Sequence, residues 1–262
     1  MATENCIQLQ RYTGEMDLAE YKQFFQGLGV TCLKPGFFDH EAFLTAERQN
    51  SRLLEDYARY CQLVTADPEY RECARVAITE TISYVAPYVQ ADDCQGLCVK
   101  IALLLSRFLE RQGVWNYIEN GGLVIQYPGD SKLRPKELDP HFFRGGTHGH
   151  GWLVAPPFRI IDLAITRQFY EGGEENYRPD MVISDDAEPT QPWPFPQGPP
   201  NREIARSFPP SLLRQGQLVL TYVPYGIGGP SESFEEMAHP SFNGLSPFDL
   251  FKKYLGREDS AQ

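Results

Sequence analysis

The sequence predicts an α+β protein in which a block of helices precedes a set of β-strands. Apolar residues recur at helical spacing through most of the first ninety residues, whereas short β-like runs follow in the remainder. These runs do not alternate with long helices, so the pattern favours an antiparallel sheet over a parallel one. We therefore expect a helical N-terminal subdomain over residues 1–90 and a mixed domain over residues 91–262.

Helix-end signals help to place the predicted helices. Asp67 is a capping residue followed by Pro68, and proline is favoured at the first position of a helix. The helix that starts there is expected to end at about Val85, before Pro87. Gly113 is a C-terminal stop for the apolar helix before it. The predicted helices cover residues 17–28, 41–63, 68–85, 97–112 and 246–255.

Five apolar runs predict the strands, over residues 114–118, 123–127, 151–154, 159–163 and 217–223. A proline-rich segment, residues 189–210, contains eight prolines and is expected to form a long loop of the second domain. Long loops in compact domains are often functional. With Trp193, Phe195 and Phe208 as apolar anchors, this loop is expected to border a substrate cleft, and the alternative is a surface linker.

Composition argues against several classes of function. The 262 residues are enough to bury a core without disulfide or metal support, and 42% of them are hydrophobic. Asp and Glu outnumber Lys and Arg by 35 to 24, which argues against a nucleic-acid surface. The sequence has no basic leader before an apolar stretch, no apolar run of membrane length and no CxxC pair among its six cysteines. We expect a cytoplasmic protein with reduced thiols and no membrane partner.

Three residues have the chemical types and the order of a cysteine-nucleophile site. Cys98 opens the apolar helix, His150 begins one predicted strand, and Asp162 lies near the end of the next. A helix N-terminus and a neighbouring imidazolium both lower the pKa of a thiol, which makes it a better nucleophile. A carboxylate fixes the tautomer and orientation of the histidine that moves the proton. The three residues meet these needs together.

The segment around each residue resembles the transglutaminase-like superfamily of papain-fold cysteine enzymes. Gly96-Leu97-Cys98-Val99-Lys100-Ile101-Ala102 matches the family pattern Gly-x-Cys-x-x-x-Ala, and Gly113 follows the cysteine by fifteen positions as in the family. His150-Gly151-Trp152 corresponds to His-Ala-Trp, with glycine in place of alanine, and Asp162 ends the next strand. The resemblance covers residues 91–170. It implies a papain-like core with Cys98 as nucleophile, His150 as base and Asp162 as its orienter.

Strand pairing provides a test of this grouping. If Val154 pairs with Phe158 across a three-residue turn, His150 lies directly opposite Asp162 with their β-carbons about 5 Å apart. A slip of one residue would move Asp162 to the other face of the sheet. On the helix, Cys98 shares a stripe with Ala102, Leu105 and Leu109, and we expect that stripe to face the sheet.

Cys94 is the alternative nucleophile. Asp93-Cys94-Gln95-Gly96-Leu97 also resembles the Asp-Cys-Ser-Gly-Leu segment of bacterial cell-wall cysteine endopeptidases, with Gln in place of Ser. If Asp93 caps the helix, Cys94 lies in its first turn; if Gly96 caps it, Cys98 does. A glycine inside a helix costs about 0.5–1 kcal/mol, so Cys98 is favoured.

The sequence also offers candidates for the oxyanion donors, for a wall of the site and for a metal site. The backbone N–H of Cys98 is one expected oxyanion donor, and Gln95 is a candidate for the second. Trp152 either walls the site or belongs to the sheet core. His148 and His150, with His141 or Asp139, form an alternative metal pair, but no further ligand spacing supports it. No metal and no cofactor is expected.

The expected function is acyl transfer from an amide or peptide-type bond through a thioester. Hydrolysis, as in a peptidase, amidase or deamidase, is preferred because water needs no second binding site. Amide formation with an amine acceptor, as in a transglutaminase, is the enzymatic alternative, and a non-catalytic binding module on the same fold is the other. The expected partner is a peptide, a protein or a small amide, and the residues do not indicate an oligomeric state.

Overall fold

A computed structural model of the chain describes residues 16–50, 52–91, 96–138, 149–185, 187–190, 193–195, 198, 202–228 and 244–258. Within these ranges the protein is α+β, with seven α-helices and an eight-stranded antiparallel sheet. The helices are α1 (Leu18–Gly27), α2 (Glu41–Glu47), α3 (Leu53–Val64), α4 (Pro68–Ala91), α5 (Cys98–Arg111), α6 (Arg202–Ser207) and α7 (Pro247–Glu258). The expected α+β class is therefore confirmed.

Two of the predicted helices differ from the observed ones. The single helix expected over residues 41–63 is broken into α2 and α3, and Asn50 Oδ1 accepts a hydrogen bond from the backbone N–H of Arg52 at the break. Asn competes in this way with helical hydrogen bonding. Helix α4 continues through Pro87, although proline removes one backbone hydrogen bond. Burial of Ala86 and Val89 on either side of it compensates for that loss.

The strands form one sheet in the order β5-β4-β3-β1-β8-β7-β6, with β2 paired to the free part of β1. Their ranges are β1 (Tyr117–Gln126), β2 (Lys136–Leu138), β3 (His150–Ala155), β4 (Phe158–Asp162), β5 (Val182–Ser184), β6 (Glu188–Pro189), β7 (Ser211–Gln215) and β8 (Leu218–Gly228). Every described pair is antiparallel.

Strand β1 replaces the two strands expected over residues 114–118 and 123–127. It runs through Gly121 and Gly122, where the sequence pattern indicated a break. A Cβ on Gly121 would lie 1.9 Å from the carbonyl oxygen of Val223 in β8. The glycines therefore allow close approach of a neighbouring strand rather than ending the strand.

The sheet is covered on both faces by helices. One buried cluster joins residues of α4, α5 and α7 to Ile118, Leu153 and Ile161 of the sheet. The other joins α1, α3 and the Phe37–Asp39 turn to Tyr117, Trp152 and Ile160, together with Phe208. Because side chains alternate along a strand, Leu153 and Trp152 point to opposite faces. Helices on both sides of residue 90 thus pack on the sheet, and the subdomain boundary there stays a prediction.

No described helix is both long enough and apolar enough to cross a membrane.

Candidate active site

Cys98 is the first residue of α5. Leu97 occupies the N-cap position, and Gly96 before it has φ +73°, a left-handed conformation that favours glycine. The backbone N–H of Gly96 donates to the carbonyl of Arg167 at 3.0 Å, which fixes the chain entering the helix. The unpaired amides of a helix N-terminus lie at this end of α5. Cys98 therefore has the helix-start position that the sequence predicted, and its side chain is buried with 5% exposed.

His150 and Asp162 form a short, fully buried contact. His150 Nε2 lies 2.7 Å from Asp162 Oδ2, and both side chains have zero exposed area. Two further groups hold the carboxylate. The hydroxyl of Tyr222 donates to Oδ2 at 2.8 Å, and the backbone N–H of Ala164 donates to Oδ1 at 2.9 Å. The proximity expected for His150 and Asp162 is observed.

The register that brings them together differs from the expected one. The turn between β3 and β4 has two residues, so Ala155 rather than Val154 pairs with Phe158. An irregularity then places Leu153 opposite Ile161, and continuing this register puts Asp162 opposite Trp152. The net shift is two residues, an even number, so Asp162 keeps its face. His150 and Asp162 are diagonal neighbours, which long side chains can bridge.

Cys98 and His150 are coupled electrostatically. Burial alone raises the pKa of the Cys98 thiol, but the neighbouring imidazolium of His150 outweighs burial and leaves that pKa below its usual value. Burial lowers the pKa of His150, yet the Asp162 carboxylate outweighs it and raises that pKa to about 10. Both shifts favour a thiolate–imidazolium pair.

The close approach of α5 to β3 depends on Gly151. A Cβ on this glycine would lie 3.0 Å from Val99 Cγ2 and 3.4 Å from Val99 Cα, tighter than most side-chain contacts. The backbone amide of Gly151 also helps to lower the pKa of the thiol, and the thiol donates to the carbonyl oxygen of Gly149 at 3.8 Å. Gly151 corresponds to the alanine of the His-Ala-Trp pattern, and Val99 fills the space that the alanine methyl group would need.

Trp152 is a packing residue of the site. Its ring stacks on His150, with centroids 6.0 Å apart and planes inclined by 26°. Its indole N–H donates to Glu119 Oε2 at 3.0 Å, and Arg159 Nη1 donates to the other oxygen of Glu119 at 2.7 Å. Because the N–H is already engaged, Trp152 acts here through the position of its ring rather than as an oxyanion donor.

The sequence did not indicate Gln168, Tyr222 or Glu119 as site residues. Gln168 Nε2 lies 3.3 Å from His150 Nδ1, and Tyr222 and Glu119 reach the site from β8 and β1. These residues come from separate parts of the chain, and none belongs to a short motif. Only the strand order, which places β1 between β3 and β8, could have suggested two of them.

Several predicted site residues lie outside the described residues. They are Cys94, Gln95 and the metal-pair candidates Asp139, His141 and His148. Among the residues that the structure describes, no group of three His, Cys, Asp or Glu side chains could hold a metal ion. The four described cysteines, at positions 32, 61, 73 and 98, are free thiols.

The proline-rich segment is not a loop throughout, because it contains α6, and its apolar anchors divide between the two faces of the sheet. Phe195 packs with Val124 and Val223, and its ring would lie 2.7 Å from a Cβ on Gly122. Gly122 follows Gly121, the β1 partner of His150. Phe208 instead belongs to the cluster of α1 and α3. Phe195 therefore lies near the site along β1, and a role of the loop in specificity stays a prediction.

Comparisons of the chain with protein-family models, curated proteins and solved structures gave no match.

Proposed function

We propose that the protein is a cysteine-nucleophile enzyme that transfers the acyl group of an amide or peptide-type bond through a thioester. The observation that carries the proposal is the connected set of Cys98, His150 and Asp162. The thiol begins a helix and its pKa is lowered by the histidine, and the histidine contacts the carboxylate at 2.7 Å. A helix start, an imidazole and a buried carboxylate are what thiol activation requires.

The chemistry balances with these groups alone. The Cys98 thiolate attacks the carbonyl carbon, and the N–H of the helix start stabilises the oxyanion. The C–N bond then breaks, and the imidazolium of His150 gives its proton to the leaving amine, leaving a thioester on Cys98. A water molecule attacks the thioester and gives its proton to His150. The carboxylic acid leaves, and the thiolate–imidazolium pair is restored.

Hydrolysis is the preferred outcome because water needs no second binding site. An amine acceptor would resolve the thioester by the same steps and give amide formation of the transglutaminase type. The resemblance of residues 91–170 to transglutaminase-like enzymes supports both outcomes.

Selective alkylation tests the nucleophile. Brief iodoacetamide treatment near pH 6 should label Cys98 before the other thiols, because the thiolate form is the reactive one. His150→Ala should slow this labelling at least tenfold. Peptide mapping by mass spectrometry identifies the labelled residue, and buried Cys61, whose pKa burial raises, is the internal control. Preferential labelling of Cys94 would contradict the assignment.

Turnover tests the reaction. A glutamine-peptide library should leave an acyl group on Cys98, detected as a mass increase of the intact protein. Cys98→Ala should abolish turnover, whereas Cys94→Ala should leave most of it. An active Cys98→Ala protein would shift the proposal towards Cys94 and the resemblance to cell-wall endopeptidases.

A non-catalytic binding module is the second candidate, and one observation favours it. The space beside Cys98, bounded by Ala102, Gly151 and Asp162 among others, has no room for even one water molecule, and Cys98 is almost fully buried. A remnant thiol in such a place should react slowly with iodoacetamide at neutral pH. The labelling rate of Cys98 therefore separates the two candidates.

A further inference from the structure

Gln168 places a buried amide against the site histidine. It follows the short Ile165–Arg167 turn after β4, and 6% of it is exposed. Its Nε2 lies 3.1 Å from the carbonyl oxygen of Ala164 and 3.3 Å from His150 Nδ1. The side chain is therefore held by the same short segment that supplies a backbone donor to Asp162.

The two contacts define the donor and acceptor roles. A carbonyl oxygen can only accept, so the contact with Ala164 identifies the amide atom as the NH₂ group. Its second hydrogen is then available for Nδ1, which must present a lone pair to receive it. A neutral imidazole with its lone pair on Nδ1 carries its proton on Nε2. That proton is donated to Asp162 Oδ2 at 2.7 Å.

We propose that Gln168 is a positioning residue that orients His150 and stabilises its neutral form, because its amide competes with the Cys98 proton for the Nδ1 lone pair. The inference rests on the proposed function, because it assigns His150 as the base of Cys98. Asp162 and Gln168 hold opposite edges of the ring, so its rotation and its tautomer are both fixed. The residue needs no contact with substrate to have this effect.

The contact also opposes formation of the ion pair. Once Nδ1 takes a proton it has no lone pair, and the hydrogen bond from Gln168 is lost. The other described titratable groups here are Asp162 and Cys98, with Tyr222 and Tyr170 beside Asp162. Those groups stay in place when Gln168 is changed. Gln168 thereby shifts the proton-transfer equilibrium between Cys98 and His150 towards the neutral pair and lowers the pKa of the imidazole.

Gln168→Met tests the inference, because Met has similar length and adapts to buried sites but cannot donate. The measurement is the pH midpoint of His150 ionisation, followed by ¹⁵N NMR in the Cys98→Ala background. Without the donor, the neutral imidazole loses a hydrogen bond that the imidazolium never makes, so this midpoint should rise. A hydrogen bond of ordinary strength corresponds to a rise of about half to one pH unit.

Gln112→Met is the matched control. Gln112 Nε2 donates to Thr81 Oγ1 at 2.7 Å near the far end of α5, so its loss removes a comparable bond away from the site. Urea unfolding should show stability losses for both variants, whereas only Gln168→Met should move the His150 midpoint. A His150 midpoint that is the same with and without Gln168→Met overturns the role of Gln168. A wild-type Cys98 whose iodoacetamide labelling shows no lowered pH midpoint contradicts the proposed function instead.

The tautomer gives a second test that does not require a Gln168 variant. In Cys98→Ala, at a pH where His150 is neutral, ¹⁵N NMR should find its proton on Nε2 and an accepting nitrogen at Nδ1. A proton on Nδ1 would overturn the inference.

Discussion

Gly151 shows how one missing side chain brings the proposed nucleophile to its base. His150 and Trp152 point to one face of β3, whereas Gly151 points to α5. The helix start can therefore approach the backbone at the beginning of β3, where the thiol of Cys98 donates to the carbonyl oxygen of Gly149, the residue before His150. The near contact with Val99 leaves no space for a methyl group.

We therefore expect Gly151→Ala to separate α5 from β3. The added methyl group should cost about 1–3 kcal/mol of stability, as overpacking of a full site does, and should slow iodoacetamide labelling of Cys98 at pH 6. Gly226→Ala is the matched control, because that strand glycine has no heavy atom within 4 Å of its Cβ position. Equal labelling rates in the two variants would show that the spacing of α5 and β3 does not limit reactivity.

At the scale of elements, α5 is fixed at its far end by a partly buried ionic cluster. Arg107 bonds both Asp39 of the Phe37–Asp39 turn and Glu110, with 2.9 Å between Arg107 Nη1 and Glu110 Oε2. Burial raises the pKa of Glu110 to about 7, although Arg107 and Ser106 oppose the rise. The cluster ties the turn to the helix that carries Cys98.

The titration of Glu110 should make stability fall as pH rises. Its pKa is about 4.5 when unfolded and about 7 when folded, so the folded state binds more protons between these values and loses stability across that window. The loss is on the order of 3 kcal/mol for this shift. Glu110→Gln should flatten the profile of unfolding free energy, measured with urea from pH 4.5 to 7. Asp56, whose pKa burial raises to about 6, contributes a smaller pH dependence of stability that is present in both proteins. If the slope of unfolding free energy against pH is the same in Glu110→Gln and wild type, the Glu110 carboxyl is not the source of that slope.

Some helix and strand boundaries follow from the local sequence, and others are decided by packing and strand pairing. The start of α5 at Cys98 and its end before Gly113 follow from local signals, and the structure has both. The passage of α4 through Pro87 and the continuity of β1 at Gly121 oppose local signals, because burial and strand pairing decide them. The β3–β4 register depended on the length of the turn, which the two prolines left open. His150 and Asp162 lie close together as predicted only because the β3–β4 register differs from the expected one by two residues, an even number that keeps both side chains on one face.

At the scale of the whole molecule, the N-terminal helices and the sheet share their hydrophobic contacts. Phe37 packs edge-on against Phe25 and Tyr57 at 4.8 and 4.9 Å, and against Trp115, which precedes β1, at 6.1 Å. The same buried cluster contains Trp152. Contacts of this kind couple the folding of the helices to that of the sheet and the candidate site.

Phe37→Ala tests that coupling. Removal of this buried ring should cost about 3–5 kcal/mol and shift one cooperative unfolding transition to lower urea concentration. Tryptophan fluorescence and the loss of preferential Cys98 labelling at pH 6 should shift together, because unfolding removes the surroundings that lower the pKa of the thiol. Leu44→Ala, at a partly exposed position of α2, is the control and should change stability by much less. If Phe37→Ala leaves the urea dependence of Cys98 alkylation unchanged, residues 1–90 unfold on their own as a separate subdomain, and the shared cluster does not couple them to the site.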